Sequence, residues 1–146
     1  PKFSDIIKPE YELEGVKLKT WVKNKQQIKM ESGKIEFYKN NIKAINSNLN
    51  IKINQNKFEI KASKINMNKL FKQIKMMTGN IQFKGNKGPL EFSANEIKIN
   101  GLMNKINAKG NVKIKHEKNI LTGKKAEIDI NKEKITITRG TVQINQ

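Results

Sequence analysis

Apolar and polar residues alternate one by one along most of this chain. Apolar–polar–apolar triplets recur from residue 16 onward, and examples are Val16-Lys17-Leu18, Ile51-Lys52-Ile53 and Ile135-Thr136-Ile137. A period of two is typical of strands that have one face in a core and the other in water. Short breaks rich in asparagine and glycine separate the triplets and suit turns. The pattern therefore predicts an all-β protein.

The segment 65–77 also has apolar residues three and four positions apart, which is a helical spacing. It lacks a convincing capping residue and stays in phase with the strand pattern elsewhere. We therefore interpret it as two strands joined by a turn near Asn68-Lys69.

A unit of about 30 residues recurs along the chain. The run Gly79-Asn80-Ile81-Gln82-Phe83 returns as Gly110-Asn111-Val112-Lys113-Ile114 and again as Gly140-Thr141-Val142-Gln143-Ile144. A unit this short cannot bury its apolar face alone, so the copies must stack around a shared interior. Two opposed antiparallel sheets, or one sheet folded over, satisfy that need. A slice of a β-jelly roll fits best.

Catalytic chemistry finds little support in the residue types. The chain has no cysteine and a single histidine, His116, which we expect in an exposed polar turn. Glu91 and Glu96 are five residues apart, so strand geometry predicts that they point to opposite faces and make a poor acid–base pair. We find no histidine–carboxylate cluster for a metal and no phosphate-binding loop. The sequence therefore predicts no enzyme, no catalytic residue, no cofactor and no metal.

The chain is strongly basic. Its 146 residues carry a formal net charge of +17, from 30 lysines and arginines against 13 acidic residues. Only one of the basic residues, Arg139, is an arginine, although arginine makes the bidentate contacts of most nucleic-acid readers. The lysines spread along the whole chain. Phe37, Phe58, Phe83 and Phe92 fall on the apolar phase, where they cannot stack on bases. We expect no nucleic-acid partner, although a solvated basic surface and a loosely held polyanion both remain open.

The inward phase defines a set of candidate interior residues. Periodicity does not distinguish a closed core from an open apolar trough, because both need the same inward side chains. The candidate trough residues are Val16, Leu18, Ile35, Phe37, Ile51, Ile53, Phe58, Ile60, Ile65, Met67, Ile81, Phe83, Phe92, Ile97, Ile99, Val112, Ile114, Ile128 and Ile130. The same phase places Ile28, Met30, Ile74, Met76 and Leu90 inward.

The repeats resemble a known family. The unit Gly-Asn-(Ile/Val)-x-(Phe/Ile), with a strand such as Ser93-Ala94-Asn95-Glu96-Ile97 between copies, is similar to the periplasmic lipopolysaccharide-transport proteins, which comprise LptC, LptA and the OstA-like domain. The opening Pro9-Glu10-Tyr11-Glu12-Leu13-Glu14-Gly15-Val16 resembles the start of the LptC periplasmic domain more than that of LptA. The resemblance extends from about residue 9 to the end of the chain.

This resemblance implies a fold and a function. The fold would be a V-shaped, two-sheet antiparallel β-jelly roll of about 15 strands, with the acyl chains of lipopolysaccharide between the sheets. The function would be non-enzymatic transport of lipopolysaccharide from an inner-membrane ABC transporter across the periplasm. Residues 1–9 would be a juxtamembrane linker that follows an N-terminal inner-membrane anchor, and residues 10–146 would be a single LptC-like domain.

The family also implies partners at the sheet edges. The first strand, near Val16 and Leu18, and the last, with Val142 and Ile144, would pair with neighbouring members such as an LptA-like bridge. Three alternatives stay open: a soluble LptA-like or OstA-like bridge, a β-repeat structural or surface protein with a closed core and no lipid ligand, and a polyanion-binding module.

Overall fold

The computed structural model describes residues 11–22, 26–53, 55–68, 73–85, 88–100, 104–132 and 134–144. The predicted linker, residues 1–9, lies outside these ranges. The described residues form ten strands: β1 (Tyr11–Val22), β2 (Gln26–Phe37), β3 (Asn41–Ile53), β4 (Asn56–Asn68), β5 (Gln73–Gly85), β6 (Gly88–Asn100), β7 (Lys105–His116), β8 (Asn119–Asp129), β9 (Lys134–Thr138) and β10 (Thr141–Ile144). No helix in these ranges is long and apolar enough to cross a membrane.

All ten strands belong to one antiparallel sheet. Strands β1 to β8 lie side by side in chain order, and β8 then pairs with both β9 and β10. Residues 119–122 of β8 pair with β10, whereas residues 125–129 pair with β9. The last two strands therefore form one edge, interrupted by Arg139 and Gly140. The prediction of an all-β fold is confirmed. The two strands predicted on either side of a turn at Asn68-Lys69 are also confirmed, as β4 and β5. Residue 69 itself lies outside the described ranges.

The structure describes ten strands where the family resemblance implies about fifteen. The difference arises because most strands are long, at 12 or 13 residues in β1 to β7, and hold two apolar triplets each. In β5, for example, the stretches around Ile74 and Ile81 belong to one strand that runs through Thr78. The breaks in alternation are thus bends within strands as well as turns between them.

These bends lie near the middle of the strands. In β4, Ala62 and Ile65 are both buried, although three residues apart, because Ser63 and Lys64 between them are both exposed. In alternate strands the bend coincides with left-handed backbone, with φ of 59° at Gly15, 50° at Asn46, 50° at Thr78 and 80° at Gly110. These positions are 31 or 32 residues apart. The repeat seen in the sequence is therefore one hairpin with its bend.

The bends fold the sheet onto itself. A straight strand of the length of β8, 11 residues, would hold its ends about 33 Å apart. Instead, His116, next to one end of β8, and Ile130, next to the other, line the same cavity of about 400 Å³. The bends divide the folded sheet into two halves. We call the half that contains the β3–β4, β5–β6 and β7–β8 turns the first half, and the other the second half. Stacked repeats could form two opposed sheets or one sheet folded over, and the described residues form one folded sheet.

A row of small residues marks the fold line. Ser32, Ser47, Ala62, Gly79 and Ala94 are successive cross-strand partners from β2 to β6, and all are buried. A Cβ on Gly79 would lie 2.8 Å from Met76 Cγ and 3.1 Å from Ile97 Cδ1, so no larger side chain fits there unchanged. Bulky residues flank the row in both halves. The small residues let the two halves converge along this line.

Candidate functional site

The predicted trough residues whose side chains the structure describes face the interior of the folded sheet. Five of them, Val16, Phe37, Ile53, Phe83 and Ile130, are partly buried and pack against the core. Leu18 lies opposite Met30 in the ladder, and its side chain is outside the described set. The other thirteen have exposures of 3% or less: Ile35, Ile51, Phe58, Ile60, Ile65, Met67, Ile81, Phe92, Ile97, Ile99, Val112, Ile114 and Ile128.

An apolar path connects this core with the surface. Phe58 and Phe83 are directly opposite each other on β4 and β5, with ring centroids 4.8 Å apart and planes tilted by 41°. Phe58 is buried, whereas Phe83 is only partly buried and lines the cavity. The Phe58–Phe83 pair therefore connects the buried core with the cavity.

The cavity of about 400 Å³ lies where the ends of the two halves meet, and we call it the mouth. The first half contributes Asn56, Phe83, Gly88, Leu90 and His116, and the second half contributes Ile128, Asp129, Ile130, Asn131 and Ile135. Its volume is in the range of small-molecule sites, and its lining combines apolar side chains with a few polar groups. Thirteen of the candidate trough residues have exposures of 3% or less, so a ligand in the mouth would reach them only if the halves separate.

Two polar residues of the mouth, His116 and Asp129, are half-buried, and the position of His116 differs from the sequence-based expectation. His116 ends β7 and is half-buried in the mouth, whereas the sequence predicts an exposed turn; the turn begins one residue later, at Glu117. Asp129 is half-buried, and its Oδ1 accepts the backbone N–H of Lys132 at 3.0 Å, which fixes the β8–β9 turn. Among the described residues, no group of three or more histidine, cysteine, aspartate or glutamate side chains is placed to hold a metal ion.

The prediction that Glu91 and Glu96 point to opposite faces is wrong. Ala94 and Ile97 are both buried, so the bend in β6 shifts the alternation by one residue and brings both glutamates to the outer face. Glu91 accepts a hydrogen bond from Asn80 Nδ2 at 3.3 Å, whereas Glu96 Oε1 lies 3.3 Å from Lys75 Nζ. Both carboxylates therefore bind separate partners on the outside of the sheet.

The resolved pKa shifts lie at the β1–β2 margin, outside the mouth. A hydrogen bond from Lys34 to Glu12 raises the pKa of Lys34 above its ordinary value of 10.5, and the charges of Glu36 and Glu14 add to the effect. Desolvation raises the pKa of Tyr38 above 10.0, with a further contribution from its hydrogen bond to Glu36. Neither Lys34 nor Tyr38 lines the mouth.

Several buried residues were missed because they are small or lie outside the clearest triplets. They are Ser32, Ile42, Ala44, Ser47, Leu49, Ala62, Ala94, Ile106, Ala108 and Ala126. A signal for three of them exists in the sequence, since Ala62, Ala94 and Ala126 are spaced by 32 residues and follow the repeat. Alanine is small and only weakly apolar, so its repeat spacing identifies these positions better than its hydropathy does.

The single antiparallel sheet folded over an apolar interior has a counterpart among solved structures. The crystal structure of LptH, the LptA-homologous periplasmic component of the conserved lipopolysaccharide transport device from Pseudomonas aeruginosa, is similar to this chain with a TM-score of 0.67. The match covers 82% of this chain and 95% of that chain at 11% sequence identity. No protein-family model and no curated protein sequence matches the chain. The likeness to LptH shows that the chain has the LptA-like fold.

Proposed function

We propose that this chain is a non-enzymatic periplasmic carrier of lipopolysaccharide that shields the acyl chains between the two halves of its sheet. The observation that carries this proposal is the mouth, a cavity with apolar and polar lining residues between the halves of an LptA-like fold. Each methylene group removed from water contributes about 0.8 kcal/mol, so even partial insertion of the acyl chains favours binding of the lipid.

Loading would begin at the mouth and proceed by separation of the halves. Phe83 in the first half and Ile130 in the second are partly exposed apolar residues that line the mouth. An acyl chain that contacts them replaces water without disturbing the filled interior. Deeper insertion would require the halves to open about the row of small residues. The energy for directional transport would come from ATP hydrolysis in a partner transporter.

Within this function we propose an LptC-type role. Residues 1–9 would link the domain to an inner-membrane anchor, and the domain would receive lipopolysaccharide from an inner-membrane ABC transporter. Strand β1, with Val16 and Leu18, and strand β10, with Val142 and Ile144, would pair with neighbours, one of them an LptA-like bridge. In support, Val142 and Ile144 on the outermost strand are 59% and 68% exposed, as expected of a surface that a further strand covers.

Two other functions each have an observation in their favour. The solved structure with a similar fold, LptH, is an LptA homologue, which favours a soluble bridge. The full-length gene product distinguishes this role from the LptC type: an uncleaved apolar segment of about 20 residues indicates LptC, and a cleaved signal indicates LptA. The tightly filled interior, with exposures of 0% at Ile60, Ile81 and Ile97, favours a β-repeat protein with a closed core and no lipid ligand.

A binding titration with fluorescently labelled lipopolysaccharide tests the carrier function. We expect saturable binding that persists at high salt, is competed by lipid A, and is lost in Phe83→Glu. Ile99 is unsuitable for the same test because it is fully buried, and a charge there would unfold the domain. Gln73→Glu is the matched control, because it adds the same charge to an exposed position of the same strand.

Duplex DNA serves as the comparison ligand in the same titration. If lipopolysaccharide and DNA bind alike and both dissociate at high salt, the lysines alone provide the attraction and the carrier function is wrong. Equal binding of lipopolysaccharide by Phe83→Glu and Gln73→Glu would contradict the role of the mouth. Absence of any saturable lipopolysaccharide binding would favour the closed-core alternative.

A further inference from the structure

Three lysines stand side by side on the outer face of the first half. Lys52 on β3 is directly opposite Lys57 on β4, and Lys57 is directly opposite Lys84 on β5. All three are exposed. We call Lys52, Lys57 and Lys84 the lysine row. On β2 the residue opposite Lys52 is the neutral Gln27. This line of cross-strand partners therefore contains no acidic side chain over four strands.

The lysine row is not neutralised within the described chain. Elsewhere on the outer face lysines approach acidic partners, as in Lys34 with Glu12 and Lys75 with Glu96. No member of the lysine row lies within 4.0 Å of a described carboxylate. Like charges directly opposite each other destabilise a sheet. An anion bound across the row would remove this repulsion.

A shallow groove adds to the positive surface. It has a volume of about 260 Å³ and is lined by the lysine row together with Lys29 and a single acidic residue, Glu59. The Glu59 carboxylate lies 3.7 Å from Lys61 Nζ, which offsets its charge. The groove therefore presents four ammonium groups and little opposing charge.

The lysine row adjoins the mouth. Asn56 and Phe83, which line the mouth, directly precede Lys57 and Lys84 in the chain. Successive residues of a strand point to opposite faces, so the same strand ends carry the mouth on the inside and the lysines on the outside. A surface that contacts the lysine row therefore lies alongside the mouth.

We infer that the lysine row docks this chain on the surface of an anionic lipid bilayer. The row spans two interstrand spacings, about 10 Å, which suits a plane of separate phosphate groups better than one small anion. Lysine ammonium groups are hydrated point charges that attract such a surface without a fixed geometry. The contact is reversible and weakens with salt. It brings the mouth to the membrane and does not depend on which lipid the interior takes.

Co-sedimentation of the intact chain with lipid vesicles tests this inference. The vesicles contain equimolar phosphatidylglycerol and phosphatidylcholine, with pure phosphatidylcholine for comparison and no lipopolysaccharide. The test variant is the triple substitution Lys52→Gln, Lys57→Gln and Lys84→Gln. The control is Lys43→Gln, Lys113→Gln and Lys134→Gln, which changes the net charge equally. The control lysines stand opposite acidic or polar residues, such as Glu36 for Lys43 and Asp129 for Lys134.

We expect the wild type to bind only the anionic vesicles, and the row variant to bind them on the order of 100-fold more weakly. The control variant is expected to lose less than about threefold, because its lysines lie apart from one another. The row variant should remain folded, with an unfolding midpoint at or above that of the wild type, because like-charge repulsion is removed.

Three results would overturn the inference. Equal loss in the two triple variants would show that net charge alone attracts the bilayer. If the wild type and the row variant both bound pure phosphatidylcholine vesicles, the membrane contact would lie outside the lysine row. Complete release of the wild type by millimolar inorganic phosphate at constant ionic strength would assign the row to a soluble phosphate. Because no lipopolysaccharide is present, failure here leaves the proposed carrier function unaffected.

Discussion

Ser32 and Ser47 share a hydrogen bond at the fold line of the sheet. Their Oγ atoms are 2.6 Å apart, and the side chains are only 6% and 5% exposed. They are cross-strand partners on β2 and β3 and begin the row of small residues that continues with Ala62, Gly79 and Ala94. Each side chain is small enough for the closest approach of the two halves, and one hydroxyl donates the hydrogen bond that the other accepts.

Removing both hydroxyls should cost less than the sum of the costs of removing each one. Ser47→Ala leaves the Ser32 hydroxyl buried without its partner, so we expect the free energy of unfolding to fall by about 1–2 kcal/mol. The double substitution Ser32→Ala, Ser47→Ala leaves no unpaired hydroxyl and should cost less than the sum of the single substitutions. Urea denaturation of the four proteins of this cycle measures the coupling. Strictly additive effects would contradict the pairing.

The fold line also predicts unequal effects of alanine at two glycines. Gly79→Ala places a Cβ 2.8 Å from Met76 Cγ, and the resulting overpacking should lower the free energy of unfolding by about 1–3 kcal/mol. Gly33→Ala is the control, because its nearest neighbour would be Ile45 O at an ordinary 3.5 Å. That substitution should be neutral or stabilise by about 0.5 kcal/mol. Equal thermal unfolding midpoints would contradict close approach at Gly79.

The bend in β5 should be improved by a residue that tolerates left-handed backbone. Thr78 has φ of 50°, which is unfavourable for a β-branched side chain. Thr78→Asn should therefore raise the free energy of unfolding by about 0.5–1 kcal/mol, since asparagine adopts this conformation more readily. Thr136→Asn, at an exposed position of β9, is the control and should bring no gain. Thermal unfolding distinguishes the two, and equal shifts would contradict strain at Thr78.

The periodicity of the sequence predicted the strands and their inward faces because hydropathy reports burial directly. Ile60, Phe92 and Ile114 face inward as the alternation indicates, and the two stretches of residues 65–77 are strands. The bends were harder to predict, because a pause in alternation looks the same whether the chain turns back or bends and continues. Thr78 is β-branched and gives no hint of its left-handed backbone. The strand count implied by the resemblance therefore differs from the structure.

The same bends explain the errors in the candidate site. Glu96 changes face because the alternation of β6 shifts at Ala94 and Asn95, a shift that counting by twos from Glu91 cannot include. The mouth was not predicted, because it joins His116 and Ile130, whose proximity depends on the folding of the whole sheet. The sequence pattern of one strand identifies its buried face, but it does not show which other strand ends lie near that face after the sheet folds.

The exposed edge of β10 yields a prediction about assembly. Val142 lies opposite Leu121, so the exposed side chains of Val142 and Ile144 lie on the inner face of the sheet and extend its apolar surface to the edge. A second chain that pairs with β10 would cover them. We expect concentration-dependent self-association in sedimentation velocity for the wild type and its loss in Val142→Lys, Ile144→Lys, because each lysine would be buried at the new interface. Thr141→Lys, Gln143→Lys adds the same charge to the opposite face of the same strand and should retain association. Equal loss of association in both double variants would mean that charge on the strand controls pairing and that burial of the inner face does not. A wild type that stays monomeric would contradict edge pairing between copies.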